Sequence, residues 1–510
     1  MNYQTGIRSD PVEIQFDSID VQCLHPVVRQ SQNLEETQEL RVGDGMPDIG
    51  RILGAWGQVL LRGKEWRTGQ LGASCGVLVW VLYVPEDGGD IQMVESWIPF
   101  QARWDFADSG KEGKMRIQCL LRSVDARSIS ARKLMVRVGV SVSCDAEIQG
   151  RLQIPQPLDS PDIYLLKRQY PMQLPVESGE KMFTLDEEVS LPDNYAGIGK
   201  LLRYELRPEL TDRKVIGNKA VFRGSGILHV LFCGTDGVLR SHEFEIPFSQ
   251  YTELDGEYSE NADVSFWLAV TNLEVAPGEG GSLHLQCGLT GQYKIFDRQM
   301  IGIAEDAYST KMTAKPKLQQ IQVPAVLDNI RDTVTYDIPP DPDCRQIVDV
   351  SWYPELPDIK RGADEVFMEF PGSLQILYYG NSGELRADVR KTGESKNYAV
   401  GSGTEIHISL LPIGKYTERL GADSTGVQVN TSAELYFVSD SVIQPVESVE
   451  LMDNGDTVRD RPSLILSRSN GSGLWFAAKA AGSSVEAIME ANQLSGEPEE
   501  GRMLLIPVLK

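Results

Sequence analysis

The stretch GVLVWVLYVPEDG, residues 76–88, returns twice along the chain. It reads SGILHVLFCGTDG over residues 225–237 and PGSLQILYYGNSG over residues 371–383, at offsets of 149 and 146 residues. Each copy is an apolar run rich in β-branched and aromatic residues, and each ends in a polar tetrapeptide carrying glycine. That is the chemistry of a strand entering a hairpin turn. The turn needs a residue that tolerates positive φ, and Gly88, Gly237 and Gly383 supply it.

Working outward, Trp97-Ile98-Pro99-Phe100 follows the first copy and Glu245-Ile246-Pro247-Phe248 follows the second, in the same phase; the third copy lacks this signature. Upstream, Met46-Pro47-Asp48, Leu191-Pro192-Asp193 and Ile338-Pro339-Pro340-Asp341 each precede an alternating run. Near the end of each repeat, KLMVRVGVSVSCDAEI, SLHLQCGLTGQY and GVQVNTSAELYFV alternate apolar and polar residues, as half-buried strands do. Helical periodicity is scarce before residue 450. The expectation is a mainly β chain of three tandem β-rich, sandwich-like domains at residues 8–155, 160–303 and 308–447, each large enough to bury its own core. The period is too long for a solenoid of small units. Residues 444–462, with their Pro and Asp, read as a linker to a tail at residues 460–510.

Composition narrows the function classes. With 41 % hydrophobic and 24 % charged residues the chain is globular, and its net charge of −24 opposes nucleic acid and anionic lipid as general partners. The beginning, MNYQTGIRSDPVEIQFD, has no apolar core behind a basic end and does not read as a secretory signal. The longest apolar run, residues 77–84, is far short of the roughly 20 residues that span a bilayer, so no membrane insertion is expected. Seven cysteines (Cys23, Cys75, Cys119, Cys144, Cys233, Cys287 and Cys344) form no Cys-x-x-Cys pair and read as scattered reduced thiols.

Convergent catalytic groups are hard to assemble from this chain. His25, His229, His242, His284 and His407 stand far apart, and Cys23-x-His25 is only half of a zinc site. Gly-Lys occurs at Lys200 and Lys415, but Asn194 and Ser409 hold the position of the first glycine of a phosphate loop. Leu201 and Tyr416 replace its hydroxyl residue. No Gly-x-Ser-x-Gly elbow appears, and the acidic runs at 186–188 and 497–500 read as solvated surface. The reading is a non-enzymatic protein with no cofactor and no metal.

The tail is different. Leu464 and Leu466 alternate as in a short strand, Gly471-Ser472-Gly473 turns, and Leu474, Ala477, Ala478 and Ala481 recur at helical spacing until Gly482. Ser483, three residues before Glu486, reads as a capping box for a second helix whose Val485, Ile488, Met489 and Asn492 share a face. Met503-Leu504-Leu505-Ile506-Pro507 closes a βααβ order.

That order resembles the LysM family, on Gly471, Leu474-Trp475, Ala478, Val485, Ile488, Asn492, Leu494, Gly501 and Ile506-Pro507. In that family the first loop reads Gly-Asp-Thr-Leu-Trp and helps form a groove for N-acetylated glycans. Here Ser472 and Gly473 stand for the Asp and Thr. Three such repeats before one LysM tail resemble the SipL family of spore-coat morphogenetic proteins, whose repeats are SPOCS domains. That resemblance implies a scaffold or adaptor in the mother-cell cytoplasm, at the forespore surface, whose tail holds the stage IV coat ATPase while the repeats recruit or space other coat proteins. The alternative is a wall-associated protein binding peptidoglycan or a related glycan. Under either reading the candidate contacts are Gly471, Ser472, Gly473, Leu474, Trp475, Asn492 and Gln493. Leu474 opens the apolar series, Asn492 suits a bracing role, and Trp475 fits either core or contact.

Overall fold

The computed structural model describes residues 11–107, 110, 112–192, 195–278, 281–339, 342–400, 404–420, 425–453, 462–469 and 471–509. Residues 1–10, where the signal reading and the expected first domain limit fall, lie outside these, as do residues 460 and 510 of the expected tail limits. After a short β1 (Val12–Gln15), the first unit holds β2 (Ser18–Arg41), β3 (Ile49–Arg67), β4 (Gln70–Pro85), β5 (Gln92–Asp105), β6 (Lys114–Ser130) and β7 (Lys133–Pro155). These make two antiparallel sheets, in the orders β2-β7-β6 and β3-β4-β5. Unit two repeats the plan with β8 (Tyr164–Val189), β9 (Ile198–Ile216), β10 (Lys219–Gly234), β11 (Leu239–Glu253), β12 (Asp263–Pro277) and β13 (Leu283–Tyr308), paired as β8-β13-β12 and β9-β10-β11.

A connecting β14 (Thr313–Leu318) leads to unit three: β15 (Ile321–Ile338), β16 (Cys344–Pro354), the added edge strand β17 (Asp358–Arg361), β18 (Glu365–Gly380), β19 (Leu385–Ala399), β20 (Glu405–Leu420) and β21 (Thr425–Ile443). Its sheets are β15-β21-β20 and β16-β18-β19, with β17 on the free part of β18. The chain is thus a series of repeated β-sheet modules.

The local chemistry explains the plan. Gly88, Gly237 and Gly383 take φ of 74°, 75° and 78° at the turns after β4, β10 and β18, where a Cβ would be strained. Along β7, Leu134, Val136, Val138, Val140 and Val142 are all buried at alternate positions, facing the core. Within unit one the two sheets pack face to face, bringing Leu61, Val77 and Val79 against Ile117, Leu121 and Val138. Gly57 permits the close approach: a Cβ there would lie 2.7 Å from Val77 and 3.0 Å from Val124.

The units close on one another in a ring. Leu53, Leu202 and Val348, and likewise Leu82, Leu231 and Leu377, keep the 149- and 146-residue offsets, and all six share one apolar cluster. The matching central-strand positions Trp80, His229 and Gln375 each reach the next unit. Trp80 packs edge-on against Tyr204 at 5.0 Å, His229 Nε2 bonds Asp349 at 2.6 Å, and Gln375 Nε2 donates to the Ala55 carbonyl at 2.9 Å. Unit one thereby touches two, two touches three, and three touches one. The seams repeat it: Lys200 donates to Ile91 O, Ser241 to Val348 O and Arg51 to Leu385 O.

The apolar interior therefore crosses the unit limits instead of dividing into three private cores. Val21, Leu60 and Trp80 of unit one belong to the same cluster as Phe222, Phe266 and Leu285 of unit two, and Leu120 of unit one sits among unit three residues. Buried charges follow suit, with Lys294 of unit two bonding Asp145 and Glu147 of unit one. The expected linker is also corrected. Its first part forms β22 (Val446–Met452), which lies between β1 and β14 and buries Val446, Val449 and Leu451, because those apolar positions complete a small three-stranded sheet.

Candidate functional site

The tail folds as β23 (Leu464–Arg468), α1 (Leu474–Ala481), α2 (Val485–Asn492) and β24 (Met503–Pro507), with β23 and β24 antiparallel. This βααβ element has a LysM-like topology. Its core is Leu474, Ala478, Ile488, Leu504 and Ile506, so Leu474 is spent on packing. Gly482 ends α1 in the left-handed region at φ 69°. The cap of α2 lies one residue later than the sequence indicated. Ser484 accepts from the Ala487 amide at 3.1 Å, while Ser483 is buried and directs its carbonyl to the body.

The remaining candidates fall into two groups. Asn492 is a brace: its amide nitrogen donates to Ile488 O and Leu505 O, and its oxygen accepts from Leu505 N at 2.7 Å, tying α2 to β24. Gln493 beside it is exposed and takes φ 51° as the C-cap of α2. Gly471, exposed Ser472 and Gly473 form the loop before α1, Gly471 at φ 76° and Gly473 at φ 91°. Because Gly473 at the N-cap has no side chain, Glu497 caps the helix from the opposite loop, its carboxylate accepting from Leu474 N at 2.9 Å. A Cβ on Gly473 would stand 3.5 Å from that carboxylate, and one on Gly471 would stand 3.6 Å from the carboxylate of Glu500. Two acidic side chains thus overhang the loop where a glycan groove would open. The sequence placed this acidic run on the solvated surface; only the missing cap at Gly473 hinted at its role.

Trp475 faces the body. Its indole N–H donates to Asp306 Oδ2 at 2.9 Å, and its ring meets Tyr308 edge-on at 4.8 Å. Lys479, one turn on, bonds both oxygens of Asp306 at 2.7 and 2.8 Å. Tyr308 is buried in the tail's core, stacks on Tyr164 at 5.1 Å and donates its hydroxyl to Ser483 O at 2.8 Å. Burial pushes the Tyr308 hydroxyl well above the ordinary tyrosine range, so it stays a donor. A cleft of about 470 Å³ runs along this junction, lined by Lys167, Tyr164, Tyr308, Trp475 and Glu486. Asp306, Tyr308 and Tyr164 lie at the two ends of unit two, and no sequence pattern pairs them with the tail.

A second concentration of titratable groups lies at the seam of units two and three. Burial opposes a charge on His229, but Asp349 outweighs it and holds the imidazole up at about 9. Burial likewise opposes the Asp349 carboxylate, which Arg203 and His229 nonetheless hold well below the usual range. Arg203 bonds Asp349 at 2.5 Å and Glu205 at 2.8 Å. This is a sealed ion network, with its central members shielded from solvent. Among the described residues no group of three or more His, Cys, Asp or Glu side chains could hold a metal ion, and no helix is long and apolar enough to cross a membrane. Cys23 and His25 are 3.5 Å apart, and none of the seven cysteines is in a disulfide, although Cys75 and Cys119 Sγ approach to 3.5 Å.

The family model described as SipL, SPOCS domain, matches residues 197–276. That segment is β9 to β12, the β9-β10-β11 sheet of unit two and the strand after it. The match links the chain to the SipL/SPOCS family. Neither curated proteins nor solved structures yield a match.

Proposed function

We propose that this protein is a non-catalytic scaffold of spore-coat assembly, working in the mother-cell cytoplasm at the forespore surface. In this reading the body comprises three SPOCS-type domains, at about residues 8–155, 160–303 and 308–447, that recruit or space other coat proteins. The tail, residues 460–510, is a LysM domain that holds the coat ATPase. The observation that carries the proposal is the SPOCS match over residues 197–276. The tail's chemistry favours a protein contact over a glycan. Its loop lacks the polar pair at Ser472 and Gly473, and Glu497 and Glu500 crowd it. Away from the body, Phe476 and Leu466 are 53 % and 65 % exposed, which suits a protein interface with an apolar centre.

The test is binding of the full chain to the purified coat ATPase and, separately, to protein-free peptidoglycan. The scaffold reading expects saturable ATPase binding that falls at least tenfold, about 1.4 kcal/mol, in Phe476→Ala with its melting unchanged. Tighter binding to bare peptidoglycan than to the ATPase would overturn it in favour of the glycan reading.

A further inference from the structure

The small sheet of the tail has two edges, and the residues around it close only one. Asn492 closes the β24 side: its side-chain amide meets both the N–H and the C=O of Leu505, as a neighbouring strand would. In an antiparallel pair the N–H and C=O of a residue point together, either toward the opposite strand or away from it. Leu505 thus points its backbone groups away from β23, and Leu466, its register partner, points its own away from β24. The flanking bonds agree. Ser469 N donates to Arg502 O at 2.8 Å and Val508 N to Ser463 O at 3.1 Å, which puts the odd-numbered residues of β23 in the ladder. The N–H and C=O groups of Leu464, Leu466 and Arg468 therefore face the open edge, and among the described residues no hydrogen bond reaches them.

Side chains make this edge a template instead of a dead end. Exposed edges are ordinarily blunted by proline, by a bulge, by rows of charge or by a covering element. β23 has no proline and its only charge is Arg468 at one end; its other outward side chains are Leu464 and Leu466, both exposed. Across the strand, exposed Met503 and half-buried Leu505 share their face. A strand added beside β23 would gain the waiting backbone bonds and would set alternate side chains against this apolar strip.

Charge decides whose strand it is. A second copy would pair its own β23 about a twofold axis at Leu466, which places Arg468 opposite a leucine with no counter-charge. Each chain also carries a net charge of −24, so two copies repel. Arg468 is exposed and makes no ion pair among the described residues, and a carboxylate directly opposite would supply one. A foreign strand with that carboxylate meets neither objection.

We propose that the open edge of β23 docks an extended segment of the tail's protein partner, added antiparallel, with an acidic residue opposite Arg468 and apolar residues opposite Leu466 and Leu464. The segment thus reads acidic-x-apolar-x-apolar. The proposal rests on the reading of the tail as a protein-binding module and adds how the partner is held.

The experiment adds the end-blocked peptide Glu-Thr-Val-Thr-Val, at millimolar concentration, to the full chain and follows amide hydrogen exchange over residues 464–468. Exchange there slows saturably. The peptide binds about three- to fivefold more tightly than its lysine-for-glutamate form, the difference between opposite and like charges across a strand pair. Methylating the backbone nitrogen of the first valine, which faces Leu466, abolishes binding with side chains and charge unchanged. Leu466→Pro removes the outward N–H but spares the bonds of Ile465 and Ser467 to β24, and it weakens the peptide about fivefold or more. The proposal is overturned if exchange is unaffected, if the methylated peptide binds like its parent, or if Leu466→Pro melts as the parent does and binds unchanged. Slowed exchange on raising the chain concentration without peptide, lost in Leu466→Pro, would overturn it in favour of a second copy. The coat ATPase is tested separately. Peptide binding without ATPase binding supports the edge and sinks the scaffold reading, whereas ATPase binding that survives in folded Leu466→Pro sinks the edge and leaves that reading standing.

Discussion

Asp349→Ala should loosen the whole ring. The carboxylate lies at the seam of units two and three, accepting from Arg203 Nη2 at 2.5 Å and His229 Nε2 at 2.6 Å. Arg203 and Asp349 have no side-chain exposure and His229 only 4 %. Removing the anion leaves two buried cations facing each other, and breaking a buried pair from one side costs about 3–5 kcal/mol. Against a net stability of about 5–15 kcal/mol for a folded domain, that is a large fraction. Asp349→Asn keeps the shape and one acceptor and should cost less than the alanine. Urea unfolding at neutral pH, followed by tryptophan emission and far-UV circular dichroism, reads the effect. Because the cores of units one and two and of units one and three are shared, the variant should shift the main transition as one step. An unchanged midpoint, or a parent that melts in three separate transitions of which only one moves, would refute the closed-ring reasoning.

The same seam sets a pH dependence. With His229 raised on folding from 6.5 to about 9, its contribution is complete below about pH 6.5 and is lost as pH rises through about 9. At most about 3 kcal/mol is involved, and denaturation midpoints measured across that window should decline in the parent but stay flatter in His229→Gln. Ending the chain after residue 453 should leave the body's main melting transition in place. Ending it after residue 444 should lower that transition by several degrees, because it removes the strand between β1 and β14. Asp306→Ala should free the tail by removing the shared acceptor of Trp475 and Lys479, at about 2 kcal/mol of docking. Faster amide exchange across α1 with an unchanged body transition is the expected result, and unchanged exchange would contradict the docking.

Local features were legible wherever a short stretch carries its own physics. The three glycine turns, the alternating β7 and the stop at Gly482 depend on neighbours within a few residues. Strand length was harder to see, because proline and glycine look like punctuation. Pro26 stands inside the 24-residue β2 at a register shift, where the ladder needs no amide from it. The closure of the ring was not legible: His229 and Asp349 are 120 residues apart, and nothing local marks Gln375 as a partner of Ala55. Among the tail candidates, the loop glycines announced a turn, whereas the roles of Trp475 and Asn492 depend on Asp306 and Leu505. The βααβ order fixes neither partner.

The stretch matched by the SPOCS model bears on what the repeat is for. Residues 197–276 include Lys200, Leu202, Arg203, Tyr204, His229, Leu231 and Ser241, which are among the residues by which unit two meets its neighbours, as Lys294 on β13 also does. They omit β8 and β13, the strands that form the second sheet with β12. Without those strands Phe222 loses the cover of Phe183, so the matched segment by itself leaves an aromatic face open to water. The recognisable part of the repeat is therefore a ring-closing sheet that depends on other strands for its cover. A body built this way presents its outer surfaces at fixed angles, which three domains on flexible linkers would not do. For a protein proposed to space others in a coat, that rigidity is the useful property, and it rests on the seams that Asp349→Ala attacks.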